Sequence, residues 1–189
     1  MSLPAGSPEV SPTKARPGPR HTAWITGPRG AGKTRWLQAR LRTLREAKPG
    51  LRCAVLSLED GRTQWEDFSR SESGVTFGKL VMPCVCCPAA AGLPAAVSEM
   101  VRSTGAEFLF IEAPAVAAAG LLREFDQTLA WPREVVLCPG AKWTALRDRT
   151  DLPYFMASLL AQADVIVPPE PGASSTDDPT PPAAPTLSL

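Results

Sequence analysis

Eight consecutive residues, Gly27-Pro28-Arg29-Gly30-Ala31-Gly32-Lys33-Thr34, have the types and spacing of a phosphate cradle. Glycines at 27, 30 and 32 leave room for backbone amides to wrap an anion where a Cβ would crowd the turn. Amides around Gly30 to Lys33 are expected to surround a β-phosphate, helped by the positive end of the helix that Lys33 opens. The Lys33 ammonium then bridges β- and γ-phosphates, and the Thr34 hydroxyl sits on Mg²⁺. Arg35, in the same first turn, completes the candidate nucleotide-binding set of residues 27–35. The expected ligand is a purine nucleotide with Mg²⁺, and these residues alone leave GTP and ATP both open.

A second element follows at Phe108-Leu109-Phe110-Ile111-Glu112, an apolar run ending in an acid. A carboxylate there is suited to hold Mg²⁺ through water or to polarise an attacking water. Lys33 and Glu112 are therefore the candidate catalytic residues, with Thr34 and Glu112 as the magnesium pair. A surface carboxylate at a strand end is the plainer alternative for Glu112. Glu59 and Asp60 are further candidates for a loop that responds to nucleotide, although Glu-Asp-Gly is also ordinary turn chemistry.

Of five cysteines, three crowd into four positions at Cys84, Cys86 and Cys87. Such a trio suits a soft or borderline ion such as Zn²⁺, which prefers four ligands. The single histidine, His21, is expected at the far end of the sheet from the phosphate loop, so Glu59, water or a second subunit must complete the shell. A homodimer is one way to supply it. Cys84 and Cys87 also form a C-x-x-C pair able to cycle as a dithiol, and a purely structural role for the trio stays open. Cys53 and Cys138 lie inside apolar runs and read as core.

These residues need a scaffold, and the chain alternates short apolar runs with helical periodicity. The runs are 22–26, 53–58, 79–82, 108–111, 135–138 and 165–167, each short and apolar as in strands covered on both faces. Between them fall Leu37, Leu41 and Leu44, then Leu93, Val97, Met100 and Val101. The same 3.6-residue period recurs in Leu122, Phe125 and Leu129 and in Phe155, Met156, Leu159, Leu160 and Ala163. The expected class is α/β, a three-layer P-loop NTPase fold with a mainly parallel central sheet and functional loops at the carboxyl ends of the strands. Twelve of the 21 prolines fall in residues 1–20 and 168–189, so residues 1–20 and 169–189 are expected to be disordered tails around a nucleotide-binding domain at 21–168.

A formal charge of +1 over 189 residues gives no global field favouring nucleic acid or an anionic membrane. The basic residues Arg35, Arg40, Arg42, Arg45 and Lys48 of the first helix carry no aromatic interleaving and read as a solvated face. With no apolar run of membrane-spanning or secretory length, a cytoplasmic protein is expected.

The motifs together resemble the CobW/HypB/UreG family of P-loop GTPases, in particular its CobW-like branch with a C-x-C-C element between the two nucleotide motifs. The resemblance runs in order through GPRGAGKT, VMPCVCC, FLFIEAPA and AQADVIV. It implies a GTP-dependent metal chaperone or insertase acting on a client metalloprotein, with Cys84, Cys86 and Cys87 as metal ligands and Lys33, Thr34 and Glu112 at the nucleotide. Two departures mark a minimal member. Where the family has E-x-x-G, this chain reads Glu112-Ala113-Pro114-Ala115, which reduces the freedom of Ala115 to swing its N–H onto a γ-phosphate. After Ala163-Asp164-Val165-Ile166-Val167, Pro168 and Pro169 stand where the guanine-reading asparagine-lysine-x-aspartate element is expected. A non-hydrolysing nucleotide-binding adaptor is therefore the competing reading, beside the redox dithiol.

Overall fold

The computed structural model describes residues 18–59, 65–80, 92–140 and 152–168. Six parallel strands form one sheet: β1 (His21–Gly27), β2 (Cys53–Ser57), β3 (Val75–Lys79), β4 (Phe108–Pro114), β5 (Arg133–Leu137) and β6 (Val165–Ile166). Their spatial order is β3-β2-β4-β1-β5-β6. Among the described residues five helices accompany them: α1 (Lys33–Ala47), α2 (Trp65–Ser71), α3 (Leu93–Thr104), α4 (Ala115–Thr128) and α5 (Tyr154–Gln162). The three-layer α/β architecture expected from the alternating pattern is the one observed.

Strand alternation divides the core in two. Ile25, Val55, Phe110 and Val136 face one side and pack with Trp36, Leu37 and Leu41 of α1 and Trp65 and Phe68 of α2. Trp24, Leu56, Leu109 and Ile111 face the other and pack with Leu93 and Val97 of α3, Leu121 and Phe125 of α4 and Leu159 of α5. Covering both faces explains why these strands read as continuous apolar runs. Cys53 and Cys138 are buried free thiols, as expected of core residues.

Two elements differ from expectation. The third strand runs Val75–Lys79 instead of 79–82. It is an edge strand in which Val75 is buried while Thr76 and Lys79 are exposed, so it lacks the apolar continuity that singles out a central strand. The apolar run expected as the strand begins at Lys79, where the observed strand ends. Leu80 still extends the ladder, donating its amide to Ser57 O at 3.0 Å. Helix α2 leaves no periodic signature in the sequence, because seven residues give too few turns to establish a period.

The order β4-β1 at the centre positions the chemistry. Gly27 pairs with Pro114 and Ile25 with Glu112 across β1 and β4, and Ser57 pairs with Glu112 across β2 and β4. The carboxyl ends of β2, β4 and β1 therefore meet at the start of α1, the end of an open parallel sheet at which ligands bind.

Candidate functional site

Residues 28–32 form the loop between β1 and α1. Gly30 (φ 76°) and Gly32 (φ 82°) occupy the left-handed region, where a Cβ is strained, so the loop conformation itself demands glycine. Gly27 (φ 152°) has a second reason to be glycine: a Cβ there would stand 2.0 Å from the Cys138 carbonyl oxygen. The backbone turn is thereby wedged against the end of β5, where the Cys138 amide donates to Thr26 O at 2.8 Å. Helix α1 begins with no side-chain cap, leaving its first amides to another acceptor.

Lys33, buried at 4% exposure, points its ammonium back across the loop. Nζ donates to Gly27 O at 3.0 Å and Pro28 O at 2.8 Å, and pairs with Glu59 Oε1 at 2.8 Å. The cation is thus held over the cradle by two carbonyls and one carboxylate. Arg29 is exposed, whereas Pro28, Ala31, Thr34 and Arg35 are half-buried.

Glu112, 1% exposed, is the hub of the site. Thr34 Oγ1 donates to its Oε1, while Ser57 Oγ donates to Oε2 at 3.1 Å and Trp65 Nε1 to the same oxygen at 3.0 Å. Its backbone oxygen accepts from the Leu58 amide at 2.8 Å. A carboxylate with donors on both oxygens is fixed in place and satisfied in spite of its burial. Candidate residues 78 positions apart in sequence, Thr34 and Glu112, are in direct contact. They present hydroxyl and carboxylate oxygens, the hard donors that Mg²⁺ takes, so the donor set fits that ion.

Cys138 lies beside this hub. Burial pushes its thiol up to about 12, with Lys33 opposing the shift and Glu112 adding to it. The thiol is therefore protonated and inert at neutral pH.

Ser57 and Trp65 belong to the site but do not stand out in the sequence. Ser57 closes an otherwise apolar strand, a polar residue at the carboxyl end that would have justified singling it out. Trp65 gives no such signal, since only packing of α2 over the sheet brings its indole to Glu112. Cys84, Cys86 and Cys87 lie outside the described residues, as does Asp60. Among the described residues no three His, Cys, Asp or Glu side chains converge to hold a metal ion, and no helix is long and apolar enough to cross a membrane. Ala115, the residue that replaces glycine, is the first residue of α4 and is 4% exposed.

The family model described as CobW/HypB/UreG, nucleotide-binding domain, matches residues 21–168. No curated protein matches the chain. Among solved structures, the signal recognition particle receptor FtsY from Elizabethkingia anophelis in complex with GDP is 19% identical, with a TM-score of 0.54 over 85% of this chain and 50% of that one. The cell division protein FtsY from Thermotoga maritima is 16% identical, with a TM-score of 0.52 over 80% of this chain and 53% of that one. The chain spans about half the length of these solved chains, and at such identity the likeness shows the fold alone.

Proposed function

The chain belongs to the CobW/HypB/UreG family of nucleotide-binding domains, and from that premise we propose that it is a Mg²⁺-dependent GTPase whose nucleotide state governs a transition metal held by Cys84, Cys86 and Cys87. The observation that carries the nucleotide part is the contact of Thr34 with Glu112 beneath a loop crossed by the Lys33 ammonium. Lys33 binds the β- and γ-phosphates, exchanging Glu59 and the loop carbonyls for phosphate oxygens. The backbone amides around Gly30 to Lys33 supply hydrogen bonds to the phosphates, and Arg29 and Arg35 flank them. Thr34 and Glu112 are the residues that would hold Mg²⁺, which supplies charge neutralisation to the phosphates when bound. Ser57 and Trp65 keep the Glu112 carboxylate aimed at Thr34.

The proposed coupling to metal runs through Glu59. Its carboxylate sits on Lys33, and the chain continues from it toward α2, whose Trp65 holds Glu112. Phosphate binding at Lys33 releases Glu59, the last described residue before α2. Zn²⁺ is the cargo ion that three thiolates suit, and a client metalloprotein is its recipient. GTP is preferred over ATP on the strength of the family alone.

One observation favours the second reading, a nucleotide-binding adaptor that does not hydrolyse. Ala115 is buried in the first turn of α4 behind Pro114, a setting with little freedom to follow a γ-phosphate. Both readings are separated by titrating the protein, Lys33→Ala and a Cys84/Cys86/Cys87 triple serine variant with GTP, ATP, GDP and Zn²⁺. Coupling predicts that Zn²⁺ affinity of the unaltered protein differs between GTP and GDP. Equal Zn²⁺ affinity in all nucleotide states defeats it, and nucleotide binding without turnover selects the adaptor.

A further inference from the structure

The opposite end of the sheet holds a cavity of about 530 Å³, framed by the amino-terminal ends of β1 and β4 and by the last turns of α1. That volume falls within the range of small-molecule sites. Its walls combine Phe108 and Phe110 with the charged or titratable side chains of Arg20, His21, Arg40 and Lys48. Arg40 and Leu44 lie four residues apart on one face of α1, and Lys48, the residue that ends the helix, follows them at the rim of the cavity.

The electrostatics of this cavity are unfinished. Arg40 is only 7% exposed, yet its Nε finds no hydrogen-bond acceptor among the described residues. Burial lowers its affinity for a proton, and the charge of Glu134 offsets this only in part without accepting a hydrogen bond from it. A buried guanidinium with an orphaned donor costs free energy until an anion reaches it. Arg20 is already committed to Glu107 at 3.3 Å. The imidazole of His21 tilts against Phe108 at 5.3 Å between centroids and stands 3.5 Å from Glu134, too loosely for a hydrogen bond. The lining carries three cations, Arg20, Arg40 and Lys48, against one carboxylate, Glu107, with the charge of Glu134 acting on Arg40 from outside the lining.

We propose that this cavity binds a small organic carboxylate with an aromatic or branched aliphatic body, the carboxylate meeting Arg40 and the body lying against Phe108 and Phe110. A guanidinium receives a carboxylate in bidentate fashion, and the apolar walls reward a body that a bare inorganic anion lacks. The site is separate from the phosphate loop, at the other end of α1.

His21 is the single histidine of the chain, so its ring resonances report on the cavity without ambiguity. The test is a titration with 4-phenylbutyrate against 4-phenylbutylamine, followed by carbon–proton correlation spectra of the His21 ring. The expected result is a saturable shift with the carboxylate at least about tenfold tighter than with the amine, a ratio matching one charge-assisted hydrogen bond. Arg40→Gln should weaken it about tenfold or more. Gly50→Leu adds bulk at a lining position where a Cβ meets nothing within 4 Å, and should weaken it without depending on Arg40. Lys33→Ala should leave it unchanged. No saturable shift, equal binding of acid and amine, or persistence in both cavity variants overturns the proposal. Loss in Lys33→Ala also overturns it, by placing the probe at the phosphate loop.

Discussion

The indole Nε1 of Trp65 donates to Oε2 of Glu112 at 3.0 Å, tying a short helix to the carboxylate that meets Thr34. Trp65 is fully buried and stacks near Phe77 and edge-on to Phe68, so the indole is held from three sides. Trp65→Phe keeps most of that packing and removes one donor from a buried carboxylate, leaving Ser57 alone on Oε2. The expected cost is about 1.5–3 kcal/mol, read from urea unfolding, together with weaker Mg²⁺ dependence of nucleotide binding. An unchanged unfolding midpoint would show that the indole hydrogen bond contributes nothing.

In the proposed nucleotide site, Glu59 competes with phosphate for Lys33. The carboxylate lies 2.8 Å from Nζ, and the ammonium cannot serve both partners fully. Glu59→Gln should therefore tighten nucleotide binding, by roughly threefold to tenfold at low ionic strength, as expected for a partly exposed ion pair. Calorimetric titration with GDP measures it. Weaker binding in the variant would mean instead that Glu59 assists the nucleotide.

Gly27→Ala forces a methyl group to within 2.0 Å of the Cys138 carbonyl oxygen, a backbone atom with no rotamer to escape into. A loss of about 3 kcal/mol or more, or failure to fold, is expected. Gly30→Ala has open space around its Cβ and meets only the strain of φ 76°, so its cost should be about 1 kcal/mol. Parallel denaturation curves of the two variants distinguish steric collision from backbone strain.

The two core thiols should resist labelling. Burial pushes Cys53 up to about 11 and Cys138 up to about 12, so the thiolate fraction at pH 8 is on the order of one in a thousand or less. Peptide mapping after treatment with a disulfide reagent should find Cys53 and Cys138 modified in urea but not in the folded protein. Rapid modification of Cys138 under native conditions would contradict its place beside Gly27.

His21 carries a pH signature of opposite character. Burial, and then the charge of Arg40, holds the imidazole below the ordinary histidine value of 6.5. The unfolded chain therefore binds more protons than the folded one just below that value, and stability should fall as pH drops through 6.5 toward the folded value. Neutral His21 contributes fully above 6.5. His21→Gln should flatten this part of the profile, and Arg40→Gln should move the His21 titration upward, both measurable by NMR and denaturation across pH. A His21 titration above 6.5 would refute the assignment.

The cradle of residues 27–34, the acid at Glu112 and the α/β alternation were legible in the chain because each is local. Glycine spacing dictates a loop, a run of apolar residues dictates a doubly covered strand, and neither needs the rest of the molecule. Tertiary structure alone decided what those pieces touch. Glu112 stands beside Thr34 because β4 takes the central place next to β1, and strand order is set by which helices cover which face. Trp65 reaches Glu112 across 47 positions, and Glu59 reaches Lys33 across a strand boundary. The cavity at Arg40 was hidden for the same reason: a helix stripe of basic residues reads as a solvated face until the ends of β1 and β4 close over it. Local chemistry is a property of neighbours in sequence, whereas partnership and burial belong to neighbours in space.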